Sequence, residues 1–146
     1  MRTDIGISQI TQEEADKLED KTSPIAGHED FYYMELDVFH QLHCLDIVRM
    51  ALWPDHFNLT EHLGHSVDGQ MKHIDHCVDQ IRQYIMCHAD TSPLVWKWWP
   101  QAEVYVTDMG ARHTCRDFAK VRDWAEEHRM QFPLDRTVHV PGSPEW

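Results

Sequence analysis

A chain of 146 residues can fold around one core but is short for two. Its 42% hydrophobic content is globular rather than disordered. A formal charge of −12, from 25 acidic and 13 basic residues with no Lys/Arg run, excludes the nucleic-acid backbone and anionic membrane surfaces as partners. The 12 His are in excess for this size and point to metal or proton chemistry.

In chain order, residues 1–30 read as an N-terminal arm. Within it Thr11-Gln-Glu-Glu14 is a capping box that predicts a short helix over about 12–20, ended before Pro24. Residues 31–52 read as a second helical stretch, with Val38, Leu45, Val48 and Leu52 on one face and Pro54 as the stop. Residues 68–88 read as a third, with Ile74, Val78, Ile81 and Ile85 aligned and closure at Pro93. Residues 93–112 are expected to be irregular, holding Trp96, Trp98 and Trp99 as a cap on the core and a short β-rich piece at 104–106. A last helix is expected from Thr114 to Arg129, with Phe118, Val121, Trp124 and Ala125 inward. The tail, 131–146, carries Pro133, Pro141 and Pro144 and should run extended around the domain. The fold class expected is mainly α. It is one small helical domain over 1–146: an arm (1–30), a core (31–130) with two antiparallel-packed motif helices and a long Trp-rich connection, and the extended tail.

The informative feature is an internal repeat. His40-Gln-Leu-His-Cys-Leu-Asp-Ile-Val-Arg49 aligns with His73-Ile-Asp-His-Cys-Val-Asp-Gln-Ile-Arg82 at an offset of 33, with both His, the Cys, the Asp and the Arg identical. On a helix, a residue three positions on lies about 60° to one side and a residue four on lies about 40° to the other. Each His-x-x-His-Cys is therefore a stripe beside an apolar stripe. If the apolar stripes pack, two imidazole pairs meet: His40/His43 and His73/His76. Four neutral imidazoles suit copper or zinc better than magnesium or calcium, which take oxygen. Non-haem iron normally adds a carboxylate. Asp46 and Asp79 read first as partners of Arg49 and Arg82, and second as acceptors for ring N–H groups.

The other motifs are weaker. Cys44, Cys77, Cys87 and Cys115 permit disulfides, thiolate ligands or inert packing. Cys77 and Cys87 cannot pair across a continuous helix, where ten residues span about 15 Å. That leaves Cys44–Cys77 with Cys87–Cys115, Cys44–Cys87 with Cys77–Cys115, or Cys44–Cys115 with no second bond. His28, His56, His62, His65, His88, His128 and His139 read individually as surface or loop residues. Asn58-Leu59-Thr60 is a glycosylation sequon, a triplet frequent by chance. The first thirty residues hold no apolar run of the length that a signal peptide or spanning helix needs.

In their contexts, Asp37-Val-Phe-His-Gln-Leu-His-Cys-Leu45 and His73-Ile-Asp-His-Cys77, the duplicated motif resembles the UstYa-like proteins of fungal secondary metabolism. Arg82-Gln-Tyr-Ile-Met-Cys-His-Ala-Asp90 and His113-Thr-Cys-Arg-Asp-Phe118, followed by Trp124, resemble that family's later blocks. The resemblance implies oxidative tailoring of peptides or other natural products by cyclisation, desaturation, hydroxylation or halogenation. It implies copper as the metal (zinc and iron being the alternatives), O₂ as oxidant, and His40, His43, His73 and His76 as ligands. Cys87 and Cys115 match its other recurrent Cys. It also implies the secretory-pathway lumen, or the cytoplasm if no anchor or signal belongs to the chain. Candidates for contact with a small-molecule or peptide substrate are Tyr84, Gln80, His113 and Arg116. A second copy or a related chain is a candidate oligomeric partner. Two rival readings are a metal-independent cyclase or isomerase using the His as acids and bases, and a structural metal-binding helical module.

Overall fold

The computed structural model describes residues 6–63 and 66–145. His65, expected on the surface, and the tail's final Trp146 lie outside the described residues. The chain opens with β1 (Ile7–Thr11), whose alternation turns Ser8 and Ile10 inward. The capping box then forms: the Thr11 amide donates to Glu14 Oε2 at 2.8 Å, and the Glu14 amide donates to Thr11 Oγ1 at 3.4 Å. The helix it starts, α1 (Gln12–Ala15), is shorter than expected. β2 (Pro24–Ile25) turns through Gly27, at φ +75°, into β3 (His28–Glu35). β3 lies between β1 and β2 in an antiparallel sheet.

This corrects the helical reading of 31–35. Phe31, Tyr32, Tyr33 and Met34 pair with β1 from Thr11 back to Ser8, so aromatic strand preference and a ready partner override helix propensity there. Helix begins only at α2 (Asp37–Ala51). After α3 (Leu59–Leu63), which the sequence reading missed, the long α4 (Val67–His88) starts with the Ser66 hydroxyl accepting from the Gly69 amide. It ends at Ala89 in the left-handed conformation, four residues before Pro93.

The Trp-rich connection is a second small sheet rather than irregular chain. β4 (Trp96–Trp99) pairs antiparallel with β5 (Val104–Thr107), and Glu103 turns the chain at φ +51°. Trp96, Trp98 and Trp99 are exposed, so they do not cap the core. α5 (Phe118–Glu127) follows, with Asp117 accepting from the Lys120 amide. Of its expected inward residues Ala125 is buried, Val121 and Trp124 are half-buried, and Phe118 is exposed. Beyond α5 the chain doubles back along β1: the Gln9 amide donates to the His128 carbonyl and the Met130 amide to the Ile7 carbonyl. Phe132 in the tail stacks on His28 of β3 with ring centroids 3.6 Å apart.

Helix is 41% and strand 17%, so helix predominates, but two antiparallel sheets stand beside it. The α2–α4 pair forms the principal core, with Cys44, Ile47, Met50 and Cys77 buried and Val48, Phe57, Leu59, Leu63, Ile74 and Ile81 around them. The packing face is thus the Cys stripe itself. Leu45, Leu52, Val78 and Ile85, expected inward, are exposed, because Cys44 and Cys77 set the rotation of each helix. Among the described residues, no helix is long and apolar enough to cross a membrane.

Candidate metal centre

The site is built by two helices of opposite direction. His40 faces His76 with ring centroids 5.6 Å apart, and His43 faces His73 at 6.0 Å. Within each motif the separations are 6.4 Å for His40–His43 and 6.3 Å for His73–His76. The four imidazoles therefore form a quadrilateral with sides of about 6 Å. It follows from the repeat: an i, i+3 pair occupies one helix face, and antiparallel packing sets the first His of each motif against the second of the other.

His76 is exposed, while His40, His43 and His73 are half-buried, so one side of the quadrilateral is open. Cys44 and Cys77 lie beneath with no exposed surface. Cys44 Sγ is 3.9 Å from His40 Nε2. Donor atoms of His40, Cys44 and His76 lie within 4.8 Å of one another. Two donors on one ion at about 2 Å each stand up to about 4 Å apart, so modest ring rotation brings this set to one transition metal. The chemistry of the donors fits: imidazoles first, thiol second, with no carboxylate among the three. Burial raises the Cys77 thiol to about 12, helped by its hydrogen bond with Cys44, and burial also raises Cys44. Without a metal both are neutral thiols. All four Cys are free thiols, Cys87 and Cys115 being exposed.

Asp46 and Asp79 are engaged by arginines, and Asp79 also lies within electrostatic reach of His76. Asp46 pairs with Arg49 at 3.8 Å, and Asp79 with Arg82 at 2.6 Å. Asp37, at the first turn of α2, sits 3.9 Å from His40 Nδ1. Sequence reasoning passed over it, although Asp-x-x-His at 37–40 places both side chains on one face.

The substrate-contact candidates scatter. Gln80 lies close and donates to Asp37 Oδ1 at 3.1 Å. Tyr84, eight residues or about 12 Å along α4 from His76, is ring to ring with His88 at 3.9 Å. His113 meets Asp90 at 2.5 Å, beyond the far end of α4 and more than about 18 Å along the helix from His76. Arg116 is exposed on the approach to α5. A groove of about 350 Å³ lined by Ile7, Thr22, Tyr33, Met34, Glu35, Leu134 and Arg136 lies against β3 and the tail, and none of the four imidazoles lines it.

The sequence matches the model of the family described as "Mycotoxin biosynthesis protein UstYa" over residues 2–128. The chain belongs to the UstYa family. The UstYa family oxidase phomYc' of Diaporthe leptostromiformis is 34% identical over 70% of this chain and 42% of its own length. Oxidase ustYa of Aspergillus flavus is 38% identical over 66% of this chain and 42% of its own length. UstYa family oxidase VicYc of Bipolaris victoriae is 32% identical over 66% of this chain and 91% of its own. Another relative carries a different activity in its name: Transacylase cctO of Talaromyces islandicus, 32% identical over 70% of this chain and 37% of its own length. The matched region thus spans about two-fifths of most of these relatives. No solved structure matches this chain.

Proposed function

We propose that this UstYa-family chain is an oxidative tailoring enzyme of natural-product biosynthesis, acting on a peptide or related metabolite at the four-imidazole site. The observation that carries this reading is the convergence of His40, His43, His73 and His76 from two antiparallel helices into one open quadrilateral. Relatives named as oxidases support it. The four His would hold copper, which when bound supplies one-electron and O₂ chemistry. The chain's own part is positional. Antiparallel packing fixes the imidazoles, the Cys44–Cys77 layer closes the inner side, and the open side at His76 admits the substrate. Cyclisation, desaturation, hydroxylation and halogenation are all compatible with such a centre.

The test is elemental analysis after copper loading and desalting, beside a quadruple His40/His43/His73/His76→Ala variant. Copper held in fixed ratio to the chain and lost in the variant supports the reading. Equal copper in both, or none in the parent, overturns it. The transacylase among the relatives favours a second reading, in which the imidazoles act as general acids and bases without a metal. Turnover that survives a strong chelator and exclusion of oxygen selects it.

Family membership supports the secretory-pathway lumen as the proposed compartment, and compartment-resolved fractionation of tagged protein tests that. A second copy of this chain is the proposed partner. The chain exposes 11,648 Å², against about 7,800 Å² expected of a compact 17.3 kDa protein. The excess leaves uncovered surface for a partner, and it is larger than one homodimer interface accounts for.

A further inference from the structure

We propose that Asp37 is a positioning residue that sets the tautomer of His40 and thereby turns His40 Nε2 toward the centre. This rests on the four-imidazole site being the metal centre.

The two nitrogens of the His40 ring meet different surroundings. Nε2 lies 3.9 Å from Cys44 Sγ, on the side where His76 also offers a donor. Nδ1 lies 3.9 Å from Asp37 Oδ1. Both oxygens of Asp37 are held by amides: Gln41 Nε2 donates to Oδ2 from the next turn of α2, and Gln80 Nε2 donates to Oδ1 at 3.1 Å from α4. Gln41 is itself buried. The carboxylate is therefore fixed in place by both helices that build the site.

An ionised carboxylate only accepts hydrogen bonds. At 3.9 Å the contact is longer than a hydrogen bond; a small rotation of the ring brings Nδ1–H within reach of Oδ1, and that bond favours the ring form with its proton on Nδ1 and leaves the Nε2 lone pair free for a metal. That is how a carboxylate behind a ligating imidazole orients and strengthens it. The Asp37 side chain is 62% exposed, so Coulomb attraction contributes little and the effect is one of geometry and tautomer. The alternative role for Asp37 is an acid in the first turn of α2, favourable to the helix dipole. That role changes helix stability and leaves the tautomer alone.

The repeat does not extend to this position. The offset of 33 puts Gln70 where Asp37 stands in the first motif. Gln70 donates its amide to Thr60 Oγ1 at 3.0 Å. The imidazole centroids are spaced almost equally although the ring planes differ, and an acidic residue stands three before the first His in only one motif.

The experiment is imidazole nitrogen NMR on the ¹⁵N-labelled, metal-free protein above the ring's titration range, comparing the parent with Asp37→Asn, Asp37→Glu and Gln80→Ala. The expected result is His40 with its proton on Nδ1 in the parent. Asp37→Asn, whose amide can donate to Nδ1, shifts it toward the Nε2–H form, and Asp37→Glu restores the parent form. Gln80→Ala removes the tie from α4 that holds Oδ1 in place, and the loosened carboxylate gives an intermediate shift. Copper affinity, measured by chelator competition, is expected to fall about 10- to 100-fold in Asp37→Asn and to stay within about twofold in Gln70→Asn. A parent ring protonated on Nε2, or a tautomer unmoved in Asp37→Asn, overturns the role of Asp37 whether or not copper binds. A parent with the expected tautomer that takes up no copper overturns the metal-centre reading, and with it the purpose of Asp37.

Discussion

Cys44 and Cys77 meet in the interior between α2 and α4, hydrogen-bonded to each other and without exposed surface. The two positions correspond in the repeat, so each motif contributes one sulfur to the layer beneath the imidazoles. Burial raises both thiols, and Cys77 reaches about 12. At pH 8 neither is a thiolate, and thiolate is the reactive form. The metal-free, reduced protein should therefore react with a thiol reagent at Cys87 and Cys115 alone while folded, and at all four Cys in denaturant. Rapid labelling of Cys44 or Cys77 in the folded protein, read by peptide mass mapping, would contradict their burial.

Ile47 is 2% exposed and lies in the same core as the paired sulfurs. Truncation to Ala removes buried methylene and methyl groups where two helices leave little room to collapse. Ile47→Ala should cost about 2–5 kcal/mol in denaturant unfolding. Leu45→Ala, on the exposed side of α2, should cost far less. Equal losses at the two positions would show that α2 turns a different face to the core.

Asp90 provides a pH marker at the far end of α4. Its carboxyl is held down to about 2, first by the hydroxyl and amide of Ser92 and then by His113. A folded value below the ordinary 3.8 means that the contribution is present above pH 4, fades as pH falls from about 4 toward 2, and is gone below that. NMR titration should place the Asp90 midpoint near 2. Ser92→Ala should move it upward, and His113→Ala should do so by less. A midpoint near 3.8 in the parent would mean that these bonds do not form in solution.

The β4–β5 hairpin should mark the assembly state. Trp96, Trp98 and Trp99 are exposed, and two strands alone are marginally stable in water. Sedimentation equilibrium at micromolar concentration should give about twice the chain mass, and Trp96→Ser/Trp98→Ser should return it to the single-chain value. A monomeric parent whose tryptophans are readily quenched by acrylamide would rule out self-association through this hairpin.

The repeat made the imidazole cluster legible because motif spacing and helix periodicity are the same arithmetic. His40, His43, His73 and His76 could be set on helix faces before any fold was known, and the capping box at Thr11 formed as read. Other features were not legible, among them α3 and the β4–β5 pairing. Tyr32 and Tyr33 became strand because β1 was available as a partner, a long-range fact that the local pattern does not contain. Val78 and Ile85 have helical spacing yet face outward, because which of two adjacent stripes packs depends on the neighbouring helix. Asp37 and Gln80 are 43 residues apart, and only tertiary packing joins them.

The pairing of His40 with His76 and of His43 with His73 has a further consequence. Exchanging the two motifs maps each cross-helix pair onto the other, and Cys44 onto Cys77. The arrangement has approximate twofold symmetry within one chain. Two identical single-motif peptides could therefore set out the same imidazole quadrilateral as a homodimer, although the link between the motifs also contributes Phe57, Leu59 and Leu63 to the core. In a single chain each half can differ from the other, as Asp37 differs from Gln70 at the same offset, whereas a homodimer of identical peptides would carry the same residue in both halves.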